Sequence, residues 1–152
     1  MTDASIPAAL ANIFEDFQEV PEAERLELLF EFSEELPEVP SRYAGHEDQM
    51  EQVTECQTPL FLAVEFDDST NPDDPATTLI ISAPAEAPTT RGFGSVIVQG
   101  LSGLPASQIL GVPDDVPNRL GLNRALTPLR LRGMSALLGR IKRNITEHLA
   151  GA

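Results

Sequence analysis

Cys56 is the only cysteine of the chain and the side chain best suited to covalent chemistry. It lies in the segment VTECQTPLF, directly before an apolar run. A lone cysteine is more often a small buried hydrophobic residue than a nucleophile. The neighbouring Glu55, Gln57 and Thr58, however, are typical of a polar loop, which favours an accessible thiol. Glu55 would raise the pKa of this thiol and no basic residue is adjacent, so any activation must come from tertiary neighbours or from a partner.

Other kinds of site receive little support from the sequence. His46 and Asp48 precede Cys56, as a cysteine–histidine hydrolase would need, but they stand in the polar stretch AGHEDQMEQ and no protease motif surrounds the thiol. The second histidine, His148, is far from His46 in the sequence, so no metal-binding motif is present. The glycines of RGFGSVIVQG do not follow a phosphate-binding pattern. Metal binding and nucleotide binding are therefore both weak hypotheses on the sequence alone.

Length and composition indicate one ordinary domain over residues 1–152, with 41% hydrophobic residues to form its core. No apolar run is long enough for a transmembrane helix. The amino terminus, MTDASIPAALANIF, is acidic and lacks the apolar stretch of a secretory signal. A single cysteine excludes an internal disulfide framework and a cysteine-rich zinc site. We expect a soluble, cytoplasmic protein.

The net charge of −14 is distributed unevenly along the chain. Residues 1–90 contain 21 acids against two bases, which gives −19, and residues 91–152 contain three acids against eight bases, which gives +5. Such segregation indicates docking of a partner, docking of the two halves on each other, or simply a well-solvated acidic half. Nucleic acid is disfavoured as a partner because most of the surface would repel phosphates.

Apolar periodicity predicts helices at both ends of the chain. The helical spacing i, i+4, i+7, i+8 and i+11 predicts a first helix with one apolar face, formed by Ile6, Leu10, Ile13, Phe14 and Phe17. Pro21 opens a second helix that Pro37 and Pro40 end. Its apolar face is broad and consists of Leu26, Leu28, Leu29, Phe30 and Phe32. Thr127 followed by Pro128 is a start signal for the last helix.

The middle of the chain predicts a small sheet followed by helices. Residues 59–66, PLFLAVEF, and the segment TTLIISA predict two strands of an antiparallel hairpin, joined by the polar link DDSTNPDDPA. A third short strand is expected just before Cys56. Helices are expected over residues 88–102 and from Pro105 to Leu110. The fold class is therefore α+β, a small antiparallel sheet with helices packed on one face.

Two motifs carry a resemblance to the SufE family. VTECQTPLF resembles a Gly-Cys-Gln-Ser-x-Val-Trp segment, with Cys56 and Gln57 matching and Glu55 in place of the usual glycine. ALTPLRLRGMSALL resembles a Leu-Thr/Ser-Pro-Ser-Arg-x-x-Gly stretch, and the matching residues are Leu126, Thr127, Pro128, Arg130 and Gly133.

A third, looser match joins these two motifs. EAPTTRGFGSVIVQGL resembles a family pattern in which an acidic residue is followed, after four residues, by Lys-Gly and an apolar helix. In this register Glu86 stands at the acidic position, and Arg91 and Gly92 stand at the Lys-Gly. The resemblance extends over most of the chain, from about residue 10 to about residue 147.

The resemblance implies a SufE/IscU-like fold and a sulfur carrier. A pyridoxal-phosphate (PLP) cysteine desulfurase would pass a persulfide sulfur to Cys56, and an iron–sulfur cluster scaffold would receive it. The protein would stimulate the desulfurase and need no cofactor of its own. Arg130 is expected to dock the partner or steady the cysteine loop, with a salt bridge or a neighbour at the helix N-terminus as the alternative. Glu86 is expected near the site, with a solvated loop acid as the alternative.

Two functions of other classes remain open. One is an acidic adaptor that docks on a desulfurase or scaffold and stimulates it without carrying sulfur. The other is an acidic interaction domain that is unrelated to sulfur. Sulfur labelling of Cys56 separates the carrier from the adaptor, and stimulation of a desulfurase separates the adaptor from the interaction domain.

Overall fold

The computed structural model describes residues 6–56 and 58–151. Among these residues there are six α-helices and three strands. In chain order they are α1 (Ala8–Glu19), α2 (Arg25–Ser33), β1 (Glu51–Gln52), β2 (Phe61–Asp67), β3 (Ala76–Ser82), α3 (Pro88–Leu101), α4 (Ala106–Leu110), α5 (Val116–Arg119) and α6 (Pro128–Leu149). Short 3-10 turns cover Glu22–Glu24 and Glu47–Gln49.

The three strands form one antiparallel sheet in the order β1-β2-β3, which confirms the predicted α+β class and the short strand before Cys56. Side chains alternate between the two faces. Leu62, Leu79 and Ile81 belong to the main core with the helices. Ala63 and Ile80 point the other way, into a small cluster completed by Met50, Val39, Tyr43 and Phe61. The helices therefore pack on one face, as expected, and residues of the segment 39–50 cover the other.

The largest differences from the predicted elements lie around α2 and α5. The chain after Pro21 first forms the 3-10 turn, so α2 begins only at Arg25, and it ends at Ser33, before Pro37. Phe30 was expected on the apolar face of α2 but is 37% exposed. Helix α5 was not predicted because a single turn gives no apolar period to detect.

Helix α3 is the centre of the core. Its apolar face is almost completely buried, and the residues on it are Phe93, Val96, Ile97 and Leu101. Gly92 allows α2 to approach this helix closely, because a Cβ atom there would lie 2.3 Å from the carbonyl oxygen of Leu29. Arg91 ties α3 to its surroundings by donating to the carbonyl oxygens of Ser33 (2.9 Å) and Ala83 (2.6 Å).

Gly92→Ala should destabilise the protein, because the new methyl group collides with a backbone atom that only a shift of α2 can move away. We expect the free energy of unfolding to fall by about 1–3 kcal/mol, measured by urea denaturation. Gly139→Ala is the matched control, since Gly139 is exposed on α6 with no atom near its missing Cβ. There we expect a gain of about 0.5–1 kcal/mol. Equal stability of the wild type and Gly92→Ala would contradict this account of the α2–α3 contact.

Within the described residues, no helix combines the length and apolar character that crossing a membrane requires.

Candidate functional site

Cys56 lies near the tip of a loop whose two ends are held together. The Val53 amide donates to the Leu60 carbonyl oxygen at 2.9 Å, and both side chains are buried. Inside the loop, the Cys56 amide donates to the Val53 carbonyl oxygen at 3.1 Å. Thr54 and Glu55 are exposed, whereas Cys56 is half-buried. The base of the loop is therefore fixed, and its tip presents the thiol towards the helices.

The thiol faces a narrow pocket between the loop, α3 and α6. Its free volume is about 10 Å³, enough to admit a group the size of a water molecule. Besides Cys56, the lining residues are Leu60, Thr89, Thr90, Phe93, Leu129, Arg130, Gly133, Met134 and Leu137. The lining is mostly apolar, so on this side the thiol lies against hydrophobic side chains.

Gly133 allows the loop to lie directly on α6. A Cβ atom at this position would be 3.1 Å from the Glu55 carbonyl oxygen and 3.2 Å from the Cα of Cys56. The Cys56 thiol donates to the Gly133 carbonyl oxygen, with Sγ at 3.7 Å. The helix therefore contacts the loop with its backbone, which explains why a glycine stands in this turn of α6.

Burial determines the ionisation of the thiol. Loss of solvent raises the pKa of Cys56 to about 11, and the neighbouring Glu55 carboxylate contributes in the same direction. Arg140 and Arg130 lower this pKa, but by less. The expectation that Glu55 raises the pKa is confirmed, and the tertiary neighbours do not overcome burial. The thiol is thus protonated at neutral pH.

Arg130 lies at the mouth of the pocket in the first turn of α6. Its backbone amide donates to the Thr127 Oγ1 that caps the helix, at 3.2 Å. Its guanidinium forms no ion pair with any residue of 6–56 or 58–151. The salt bridge considered from the sequence is therefore not found there, whereas the other alternative, a position at the helix N-terminus, is observed. The charge remains available at the pocket.

The other residues singled out from the sequence do not line this pocket. Glu86 is exposed in the loop before α3, and its proposed role stays a prediction. His46 and Asp48 are exposed on the loop before β1. Neither lines the pocket at Cys56, as a cysteine–histidine hydrolase would require. Gln57 of the matching motif lies outside the described residues. No group of three or more His, Cys, Asp or Glu that could hold a metal ion occurs in the part of the chain that is described.

Arg140 is a site residue that sequence reasoning missed. Its Nε lies 2.9 Å from Glu55 Oε1 and its Nη1 lies 2.6 Å from Glu51 Oε2. Its Nη2 is 3.3 Å from Thr54 Oγ1. Two features could have indicated it: the acid Glu55 at a position where glycine is usual, and a basic residue two helical turns after Gly133 on the same face of α6.

A second polar contact holds the far side of the loop. Thr58 Oγ1 and Thr90 Oγ1 are 2.9 Å apart, which links the loop to the first turns of α3. The loop is therefore tied on one side to α6, through Arg140, and on the other to α3. Cys56 lies between these two ties.

Comparisons with known proteins agree with this geometry. Residues 11–145 match the SufE family profile, described as an Fe-S metabolism associated domain. An uncharacterised SufE-like protein of Mycobacterium tuberculosis is 52% identical over 95% of this chain and 96% of its own length. The SufE-like protein 1, chloroplastic/mitochondrial, of Arabidopsis thaliana is 28% identical over 88% of this chain and 33% of its own length.

The fold has a counterpart among solved structures. The solution structure of a hypothetical protein from Thermus thermophilus superposes with a TM-score of 0.78 and 32% sequence identity, covering 95% of this chain and 98% of that one. The family match spans the cysteine loop, α3 and most of α6, which together build the pocket. The chain belongs to the SufE family and has a role in iron–sulfur metabolism and sulfur transfer.

Proposed function

We propose that Cys56 accepts sulfur as a persulfide from a PLP-dependent cysteine desulfurase and passes it to an iron–sulfur cluster scaffold. The observation that carries this proposal is the pocket beside Sγ, which has room for one small atom. The outer sulfur of a persulfide is such an atom. Family membership supports the sulfur-transfer chemistry.

The transfer is a thiol–disulfide exchange with a sulfane sulfur as the electrophile. Cys56 loses its proton, and the thiolate attacks the outer sulfur of the desulfurase persulfide. A new S–S bond forms at Cys56 while the S–S bond of the donor breaks. The desulfurase cysteine leaves as a thiolate and is reprotonated. No external oxidant or reductant is consumed, because one S–S bond replaces another.

The pocket supports a carrier because it would protect the product. Leu60, Phe93 and Met134 line it, so a sulfur held there would contact apolar side chains in place of open solvent. The chain has no second cysteine that could attack the persulfide, form an internal disulfide with Cys56 and release the outer sulfur. A stored persulfide would therefore persist until a recipient reaches it.

In this proposal the protein is a carrier and an activator rather than a self-sufficient enzyme. The desulfurase and its PLP cleave the carbon–sulfur bond of free cysteine, and this chain contributes only a nucleophile and a protected pocket. It would act in the cytoplasm, where free thiols stay reduced. The scaffold then takes the sulfur by a second exchange of the same kind.

Label transfer tests the proposal. The protein is incubated with a PLP-dependent cysteine desulfurase and sulfur-labelled cysteine, and is then separated under non-reducing conditions. We expect label on this chain that dithiothreitol removes, and none when the desulfurase is omitted. Desulfurase turnover without label on this chain would reject the carrier function.

One observation favours the adaptor as a second candidate. Leu129 is 45% exposed beside Arg130 at the mouth of the pocket, a combination suited to docking. An adaptor would use this surface to stimulate the desulfurase while Cys56 remains unlabelled. The same labelling experiment separates the two functions, provided that desulfurase stimulation is measured alongside.

Arg130→Ala should weaken docking without weakening the fold. The guanidinium lies at the pocket mouth, so its loss removes a charge from the surface that meets the partner. We expect the concentration for half-maximal desulfurase stimulation to rise about tenfold, the effect of one good interfacial contact. The melting temperature should change by no more than about 2 °C, since surface substitutions are nearly neutral.

Arg132→Ala is the matched control for this experiment. Arg132 is exposed on the same helix but does not line the pocket. Its replacement removes the same charge and should leave the half-maximal concentration within about twofold of the wild type. Identical titration curves for the wild type and Arg130→Ala would remove Arg130 from the docking surface.

A further inference from the structure

Arg140 joins the cysteine loop to α6 through three different residues. Its guanidinium contacts Glu51, the first residue of β1, and Thr54 and Glu55 in the loop itself. The Arg140 side chain is only 17% exposed, compared with 55% for Arg143, its neighbour on the same helix. The Arg140 guanidinium is therefore shielded from solvent more than that of an ordinary surface ion pair, whereas the Glu55 side chain is 41% exposed.

The contacts of Arg140 are of two kinds. Other residues of α6 also bind Glu51, whereas the ion pair with Glu55 depends on Arg140. Glu51 is also bound by Arg143 at 2.7 Å and by the amide of Asn144 at 3.0 Å, so β1 stays attached to α6 without Arg140. Arg140 makes the only side-chain ion pair of Glu55 with the residues described. Because Glu55 precedes Cys56 directly, this contact restrains the stretch of backbone that carries the thiol.

We propose that Arg140 is a positioning residue that holds the loop of Thr54, Glu55 and Cys56 against α6 and so keeps the thiol in its pocket. A docked partner that separates Arg140 from Glu55 would release the loop. The purpose of this release rests on the proposed sulfur transfer. The closed state, in which the loop lies against α6 with the thiol in its pocket, can be tested in the free protein without any desulfurase.

Electrostatics and positioning predict opposite results when Arg140 loses its charge. The charged groups that face the thiol are Glu55 from its own loop, and Arg130 and Arg140 from α6; α3 contributes Thr89, Thr90 and Phe93 to the pocket. The positive charge of Arg140 lowers the pKa of Cys56. If Arg140 acted through its charge alone, removing it would therefore leave less thiolate and slow alkylation. Release of the loop would accelerate alkylation.

The experiment measures the iodoacetamide alkylation rate of Cys56 in the free protein as a function of pH. For Arg140→Gln we expect a rate about two- to fivefold above the wild type at neutral pH, the equilibrium shift that loss of one such ion pair causes. The midpoint of its pH profile should move from about 11 towards the ordinary thiol value. Arg143→Gln is the control, because Arg143 binds Glu51 but does not contact the loop.

Two further variants keep the test valid if Arg140→Gln folds poorly. Arg140→Lys keeps the positive charge, but one amine cannot bind Glu51, Thr54 and Glu55 together, so loss of positioning should accelerate alkylation where charge alone predicts no change. Glu55→Gln should accelerate alkylation more in the wild type, where it removes both its own charge and the ion pair, than in Arg140→Gln, where only its charge is left to remove. Slower alkylation of Arg140→Gln, or an equal acceleration in Arg143→Gln at equal melting temperature, would overturn the proposal. Failure of sulfur labelling in an otherwise normal alkylation series would instead reject the proposed function.

Discussion

Cys56 in the free protein should react with iodoacetamide about a hundredfold more slowly at neutral pH than an unfolded peptide containing TECQT. The thiolate is the reactive form, and the pocket raises the pKa of Cys56 from an ordinary value of 9.0 to about 11. Each pKa unit lowers the thiolate fraction tenfold, which gives about a hundredfold for the two units. Limited access to the half-buried sulfur acts in the same direction.

The dependence of the Cys56 alkylation rate on pH provides a second check of this prediction. Because the pKa is raised in the closed loop, the closed state is fully stable below the ordinary thiol pKa and loses stability as the pH rises towards about 11. The alkylation rate of the folded protein should therefore still be rising near pH 10, where that of the peptide has levelled off.

Partner binding should reverse the protection. A desulfurase whose own catalytic cysteine has been replaced can be added to saturation without a competing reactive thiol. We expect the alkylation rate of Cys56 to rise several-fold in that complex, because docking must bring the thiol within reach of the donor persulfide. A free protein that reacts as fast as the peptide would show that the thiol is already exposed, and the closed pocket would then have no protective role.

Cys56→Ser should abolish sulfur acceptance completely while the fold is retained. Serine is nearly the same size and its hydroxyl can donate to the Gly133 carbonyl oxygen as the thiol does. It is, however, not a nucleophile towards sulfane sulfur, because its oxygen is neither soft nor ionised at neutral pH. In the labelling experiment we expect no label on the variant, and a melting temperature within about 3 °C of the wild type.

Desulfurase stimulation by the same variant separates the two candidate functions. If the protein is a carrier, the variant still docks but cannot remove the sulfur, so stimulation at saturation should fall to the level of the desulfurase alone. Alkylated wild type is a second control, since it blocks the thiol without changing the sequence. Full stimulation by Cys56→Ser would leave only the adaptor function.

Local patterns were sufficient to predict most of the elements around the site. The periodic apolar residues predicted α1, α3 and α6, and Thr127 with Pro128 marks the start of α6 as expected. The polar neighbours of Cys56 predicted a loop, and the adjacent acid predicted a raised pKa. These features depend on residues close together in the chain, which is why the sequence could reveal them.

The pocket and the Arg140 contacts depend instead on tertiary packing. Glu55 and Arg140 are separated by most of the sheet and three helices in the chain, and no local rule pairs them. The close approach at Gly133 is likewise a property of two distant segments. Burial of Cys56 follows from this packing, so the extent of the pKa shift could not be read from its neighbours.

The charge asymmetry also acquires a partial structural explanation. Part of the positive charge of the second half neutralises acids of the first, through Arg140 and Arg143 on Glu51 and Arg140 on Glu55. Docking of the two halves therefore accounts for these bases. Many acids of α1 and α2, in contrast, are exposed on the surface, so the solvated acidic half is also present.

Intact-mass measurement of the wild type tests sulfur carriage most directly. After incubation with a PLP-dependent cysteine desulfurase and cysteine, without added reductant, we predict a gain of about 32 Da, the mass of one sulfur atom in a persulfide. Peptide mapping should assign the gain to the peptide that contains Cys56, and dithiothreitol should remove it. An unchanged mass while the desulfurase turns over cysteine would contradict the account.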